Sequence, residues 1–404
     1  MTEMGLGKTY TGSEKLVQLG ARVNLVVCQK SKINDWFNHF TSNYFTGYFK
    51  SDSYHAFDLT NKHAYELFIG CTIRNKPSSY SVGVINYELL WRRPELSKLT
   101  NFTLMLDESS LIQNETAKRS KFILKLKPAN VILLSGTPTG GKYEKLYSQL
   151  KLLGWNISKT TYWNTYIKYH YEDFGGYPFK VIDGYKNVDR LKRKMREYGC
   201  HFLKTEDVLE LPEQIFTTIK VDSSKEYKKF KKTRVVEVEN TKLIGDNTLT
   251  KMLYERQLCS LYSKNKLEAF KDLVDSTEDR LIVFYNFTSE LYKLNEVVKR
   301  PVSVVNGNNK DLYNYEKCED SVTFIQYQAG AMGLNLQLAN KIIYFSPPLS
   351  SELYEQSKKR INRIGQNKTC YYYNLTVTDS IEEKIYKSLA MRRDYTNKLF
   401  EEGE

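Results

Sequence analysis

At 404 residues and 41% hydrophobic content, the chain has enough apolar material for two packed cores and is expected to be globular rather than disordered. Its formal net charge of +13 points to a polyanionic partner, although a Lys-rich surface also arises from solubility alone. No apolar run approaches a membrane span and no charged-then-apolar leader follows Met1, so a soluble cytoplasmic protein without a membrane partner is expected.

The first predicted element is a helix opened by EMGLGKTYTG, residues 3–12. Such a glycine-rich turn points backbone N–H groups at phosphates. Gly5, Leu6 and Gly7 would form the turn, Lys8 would reach the β and γ phosphates, and Thr9 would offer its hydroxyl to Mg²⁺. The full phosphate-loop pattern wants a glycine six residues before the lysine, where this chain has Thr2. Strands are predicted at 23–28, 82–86, 103–107 and 131–135, short apolar runs of the kind that form parallel sheets covered by helices. The third of these ends in TLMLDESS, which places Asp107 and Glu108 where open α/β sheets carry ligands. Asp107 would hold Mg²⁺ and Glu108 would orient the attacking water, or the pair would simply cap a helix. Ser135 and Thr137 of SGTP would sense the γ phosphate or cap the helix that follows.

From about 155 to 265 the composition changes to Lys, Arg and Tyr, with helical patterns such as NVDRLKRKMREYG and DSSKEYKKFKKTRVVEVE. This segment reads as a mostly helical insert. Within it, TTYWNTYIKYHYEDFGGYPFKV interleaves aromatics with Lys and His, a pattern that fits either base stacking or packing at helical spacing. Lys192, Arg193, Lys194 and Arg196 form a basic helix that would follow a nucleic-acid backbone or lie on a plain surface. A second strand series follows at 281–285, 302–305, 322–326, 341–346 and 370–376. After it, QSKKRINRIGQ sets Arg360 and Arg363 three apart, on one face of a predicted helix. They serve either to neutralise a transferring phosphoryl group or as a solvated basic face. The six cysteines are scattered singly, without metal-ligand spacing, and read as reduced thiols.

The order GLGKT, LDESS, LLSGTPTGG, LIVFYNF, QAGAMGLNL and QSKKRINRIGQ resembles the successive motifs of superfamily-two helicases, specifically the Swi/Snf-like branch of DNA-stimulated ATPases. The last motif matches that branch at Gln356, Arg360, Arg363, Ile364, Gly365 and Gln366. The resemblance covers nearly the whole chain and is weakest between about 155 and 205. It implies an α/β fold of two RecA-like parallel-sheet lobes, residues 1–154 and 266–404, with the mostly helical insert at 155–265 between them. It assigns Lys8 and Thr9 to ATP and Mg²⁺, Asp107 to Mg²⁺, Glu108 to the attacking water, and Arg360 and Arg363 to arginine fingers. Gln356 would sit at the nucleotide edge, while Gly333 and Asn335 would couple it to nucleic acid. Two positions depart from the pattern: Asp-Glu-Ser-Ser replaces Asp-Glu-Ala-His, and Gln328 stands where a basic residue is frequent.

The implied function is ATP-driven translocation on double-stranded DNA, gripped through its backbone, with Ser31, Lys32, Asn86 and Tyr87 as residues that either grip it, cap a helix or pack in the core. Two other readings stand beside it. One is a strand-separating helicase, whose mark would be a wedge element that the sequence does not reveal. The other is a nucleic-acid-binding protein without ATPase activity, since the family carries a strand and an adenine-recognising segment before the phosphate loop. On that view the chain is a shortened copy of a protein with about 30–40 more residues upstream, the length of one helix and one strand. The compactness resembles bacterial and phage versions of the family.

Overall fold

The computed structural model describes residues 7–44, 53–74, 79–136, 138–174, 177–201, 210–330 and 334–400. The chain divides into two compact units at Val208 and Leu209, the second running to Asp394. Each carries one large sheet.

The first unit is built on β1 (Val23–Cys28), β2 (Tyr54–Asp58), β3 (Tyr80–Asn86), β4 (Phe102–Asp107) and β5 (Asn130–Leu134), all parallel, in the order β2-β3-β1-β4-β5. The unbroken apolar run of β1 follows from its central place. Val23, Leu25 and Val27 enter one core layer, while Val26 and Cys28 enter the layer on the opposite face. The helix Lys8–Leu19 packs over β4 and β5. Gly12 allows that approach, because a Cβ there would stand 2.6 Å from Leu134 Cδ1 and 3.0 Å from Met105 Sδ.

The segment expected to be mostly helical is mixed. β6 (Ile167–Phe174) and β7 (Tyr177–Tyr185) form an antiparallel hairpin, because Tyr, Ile and Lys alternate at a spacing of two rather than at a helical spacing. Its base joins an aromatic core of Tyr143, Tyr147, Trp155, Tyr162 and Tyr166. Of the four basic residues proposed on the next helix, Val188–Glu197, Lys192 is buried and Lys194 pairs with Glu197 at 2.5 Å, leaving Arg193 and Arg196 exposed.

In the second unit, β8 (Gln214–Val221) runs parallel to a strand of the large sheet, so the later part of the segment expected to be the insert belongs to this lobe. The predicted helix over DSSKEYKKFKKTRVVEVE ends at Thr233. Arg234 takes a left-handed backbone at φ 59°, and the alternating Val and Glu residues form β9 (Val235–Val238), paired with β10 (Thr241–Ile244). The main sheet adds β11 (Leu281–Tyr285), β12 (Val302–Val305), β13 (Lys310–Asp311), β14 (Val322–Gln326), β15 (Lys341–Tyr344) and β16 (Cys370–Val377). Its order is β13-β12-β14-β11-β15-β16-β8, parallel except at β13. Two parallel α/β sheets in succession make two RecA-like lobes. A fully buried ion pair, Lys266 Nζ to Glu382 at 2.6 and 2.7 Å, ties the helix Lys264–Asp275 to the start of the helix Ile381–Phe400. All six cysteines are free. Among the described residues no helix is long and apolar enough to cross a membrane.

Candidate nucleotide site

Gly7 stands at the N-terminus of the helix Lys8–Leu19 with φ 68° and ψ 32°, the left-handed region that glycine reaches without steric cost. Gly5 and Leu6 lie outside the described residues, as do Thr137 and Gly333. A 12-residue helix presents free N–H groups and a partial positive charge at this end, which suits an anion. Lys8 and Thr9 occupy its first turn, and Lys8 Nζ lies 4.0 Å from Glu108 Oε2. The phosphate-loop lysine and the Asp-Glu motif, a hundred residues apart in sequence, therefore meet at one point of the first lobe.

Asp107 is the last residue of β4, and its Oδ2 accepts a 2.9 Å hydrogen bond from Trp36 Nε1. Burial holds the Asp107 carboxyl above its ordinary value; the Trp36 bond and the Lys8 and Lys32 charges pull it back, and neighbouring Glu108 raises it further. Glu108 has φ 60° and ψ 60°, a left-handed backbone that is costly for a residue with a Cβ and concentrated at functional sites. The strain is held by what surrounds it. Glu108 Oε1 accepts from Ser135 Oγ at 2.9 Å and Ser110 Oγ at 3.2 Å, while the Tyr87 hydroxyl donates to the backbone oxygens of Asp107 at 2.9 Å and Glu108 at 3.4 Å. One carboxylate oxygen is thereby saturated, and the other faces Lys8.

These contacts reassign several predicted residues. Ser135 holds Glu108, a role beyond the two weighed for it. Ser110, where the family pattern has His, is a second hydroxyl on the same oxygen. Tyr87 is fully buried beneath the site, so of the alternatives of DNA grip and packing it takes packing. Asn86 is buried and donates to Glu88 at 3.3 Å, and Lys32 pairs with Asp35 at 2.7 Å. Trp36 was not found from sequence. Its only signal is an aromatic in the helix after β1, at a register that points back to the strand ends.

In the second lobe Arg360 and Arg363 do not share a helix face. The helix Ser351–Lys358 ends before them, and both lie on the irregular segment that follows. Side-chain bonds compete with helix continuation there. Arg360 Nη1 donates to Leu334 O at 3.2 Å, Arg363 Nη1 donates to Asn335 Oδ1, and Gln366 Nε2 donates to Gln337 O, Ala339 O and Ile361 O. Gly365, at φ 93°, completes the turn. Burial lowers the Arg363 guanidinium from its ordinary value. Gln356 is buried, with Nε2 3.4 Å from Glu352 and its Oε1 without a partner.

Residues 1–264 match the model of the SNF2-related domain, and residues 265–365 match that of the helicase conserved C-terminal domain. The chain belongs to the SNF2-related family. An uncharacterized ATP-dependent helicase of Mycoplasma genitalium is 23% identical to it over 99% of this chain and 40% of that protein. The chromodomain-helicase-DNA-binding protein 1-like of Mus musculus is 22% identical over 99% of this chain and 47% of that protein. The SNF2-related chain thus spans less than half the length of these relatives. The SWI2/SNF2 ATPase core of Sulfolobus solfataricus, solved in complex with dsDNA, aligns with 98% of this chain and 87% of that one at 17% identity and a TM-score of 0.42.

Mg²⁺ takes few protein ligands and keeps waters and substrate phosphates in its shell. A donor set of one carboxylate and one hydroxyl, Asp107 and Thr9, fits that habit. Among the described residues there is no group of three or more His, Cys, Asp or Glu that would make an all-protein cage.

Proposed function

We propose that this chain is an ATP-hydrolysing motor of the SNF2-related type that translocates on double-stranded DNA. The observation that carries the reading is the meeting of Lys8 and Glu108 beside Asp107, at the N-terminus of a helix and the end of a parallel strand. On this reading the free N–H groups and Lys8 hold the ATP phosphates, and Asp107 with Thr9 holds Mg²⁺, which supplies charge neutralisation on the phosphate oxygens. Glu108, fixed by Ser110 and Ser135 at one oxygen, uses the other to orient the water that attacks the γ phosphate. Arg360 and Arg363 of the second lobe stabilise the charge that develops on the transferring group when the lobes close on nucleotide. Closure and release over successive cycles move the two lobes along the DNA backbone.

The relatives named above, an ATP-dependent helicase and a helicase-DNA-binding protein, support the class of activity. Preference for duplex backbone predicts little sequence specificity and a steep salt dependence. Phosphate release with and without duplex DNA, compared with Lys8→Ala, tests the motor. Stimulated release that is lost in the variant is expected, and equal rates in the two proteins would overturn the reading. Triplex displacement set beside labelled-strand displacement then separates translocation from strand separation.

A further inference from the structure

The β6–β7 hairpin is the element that the sequence hid and the proposed motor cycle does not use. A two-stranded ribbon is marginal by itself. This one is rooted at its base, where Tyr185 stacks on Tyr143 with ring centroids 4.3 Å apart and donates its hydroxyl to Glu144 at 3.0 Å and Gly141 O at 3.2 Å. Away from the base, the aromatic residues divide into two populations. Trp155, Tyr162 and Tyr166 are buried in the core below, whereas Tyr171 is 61% exposed.

Tyr171 belongs to a built surface. Tyr169 meets it edge-on with centroids 5.8 Å apart and is fixed by its hydroxyl to Asn164 at 3.0 Å. Lys180, directly across the ladder from Tyr171, places its ammonium 4.2 Å from the Tyr169 ring and 5.7 Å from the Tyr171 ring. An open groove beside these rings is also lined by Lys168 and Lys186, neither of which has an ion-pair partner among the described residues. Asp183 also lines this groove, but its carboxylate and that of Glu172 both bind His170, at 2.8 and 3.2 Å.

An exposed ring flanked by cations has a definite chemical complement. Bases in a duplex already stack on each other and show only their edges in the grooves, while an unpaired base offers a π face that any aromatic ring can cover. Protein partners favour patches whose centres are depleted of charge, and this surface alternates rings with lysines. We propose that the β6–β7 hairpin is a strand-binding arm, on which unpaired bases of a nucleic acid stack against Tyr171 while Lys168 and Lys186 hold the adjoining phosphates. The proposal rests on the nucleic-acid partner inferred above but not on ATP hydrolysis.

The test is equilibrium binding of the full chain, without nucleotide, to a fluorescent oligo(dT) and to a blunt duplex of equal length. Tyr171→Ala is expected to weaken oligo(dT) binding about tenfold, the scale of one base on one ring, and to leave the duplex unchanged. Tyr171→Phe, which keeps the ring, is expected to bind both as the parent does. Lys168→Ala with Lys186→Ala is expected to flatten the salt dependence of oligo(dT) binding by about 0.7 logarithmic units per lysine. An unchanged oligo(dT) affinity in Tyr171→Ala, or an equal loss on both DNAs, would overturn the arm. Loss of DNA-stimulated hydrolysis in the parent chain would instead remove the motor reading and leave this binding result standing.

Discussion

The two lobes present their charged residues in opposite ways. In the first, Asp107 and Glu108 project from the end of a buried strand, and hydrogen bonds from Trp36, Ser110, Ser135 and Tyr87 fix both carboxylates and their backbone. In the second, Arg360 and Arg363 sit beyond a helix end, on a turn held by their own bonds to Leu334 O and Asn335 and by those of Gln366 to Gln337 O, Ala339 O and Ile361 O. A carboxylate that must position one water gains from rigidity. The arginines have no such strand end beneath them. The difference is one of framework: a buried strand end in the first lobe, an irregular turn after a helix in the second.

The comparison is tested most severely at the arginine turn. Arg363→Ala is expected to lower the DNA-stimulated turnover rate by about 10³ to 10⁵, while leaving ATP binding to the chain close to that of the parent. A matching loss of ATP affinity, read by a fluorescent nucleotide, would make Arg363 a ground-state ligand instead. At the strand end, Glu108→Gln is expected to cost about 10² to 10⁴ in turnover, again with nucleotide binding retained. Structural support in the second lobe comes from the buried pair instead. Lys266→Met leaves Glu382 without its cation and should cost about 3 to 5 kcal/mol in urea unfolding, without selective loss of ATP affinity.

The smallest effect concerns pH and has a definite sign. Because burial raises the Asp107 carboxyl above its ordinary value, the folded state binds that proton more tightly than the unfolded state does. Stability is therefore lost as pH rises from the ordinary carboxylate value through the raised one, and at neutral pH Asp107 is a net cost. Asp107→Asn should melt higher than the parent at neutral pH in metal-free buffer, with the gap closing as pH falls below the ordinary value. A lower melting temperature for the variant at neutral pH would show that hydrogen bonds to the charged form outweigh its desolvation.

The inner strands were readable because burial on two faces leaves a mainly apolar run, and the runs at 281–285, 302–305 and 322–326 coincide with β11, β12 and β14 although Ser303 and Thr323 interrupt two of them. Two edge elements carry no such run. β2 is buried mainly at Tyr54 and β8 alternates exposed with half-buried residues, so neither resembles an interior strand. The β6–β7 hairpin escaped because its alternation follows directly on the helix Lys159–Tyr166, whose Tyr162 and Tyr166 recur at helical spacing and mask the change of period. At the site, Lys8, Asp107 and Glu108 were legible as motifs. Their distant supports were not, since Trp36 and Tyr87 act from positions that only the folded chain brings to the strand ends, while Ser110, two residues from Glu108, showed only as a departure from the family's His. The arginine turn shows a different limit. A three-residue spacing suits a helix, but it cannot reveal that the guanidinium groups and the side chain of Gln366 bond to chain more than twenty residues away.

The left-handed backbone at Glu108 gives the molecule a way to record its own use. Glycine or asparagine would sit there with less strain, so local energetics pull toward residues that cannot orient a water. Laboratory drift under selection for stability alone should replace Glu108 early, whereas drift under selection for hydrolysis should keep it. A copy relieved of its work would lose the carboxylate before it lost the fold.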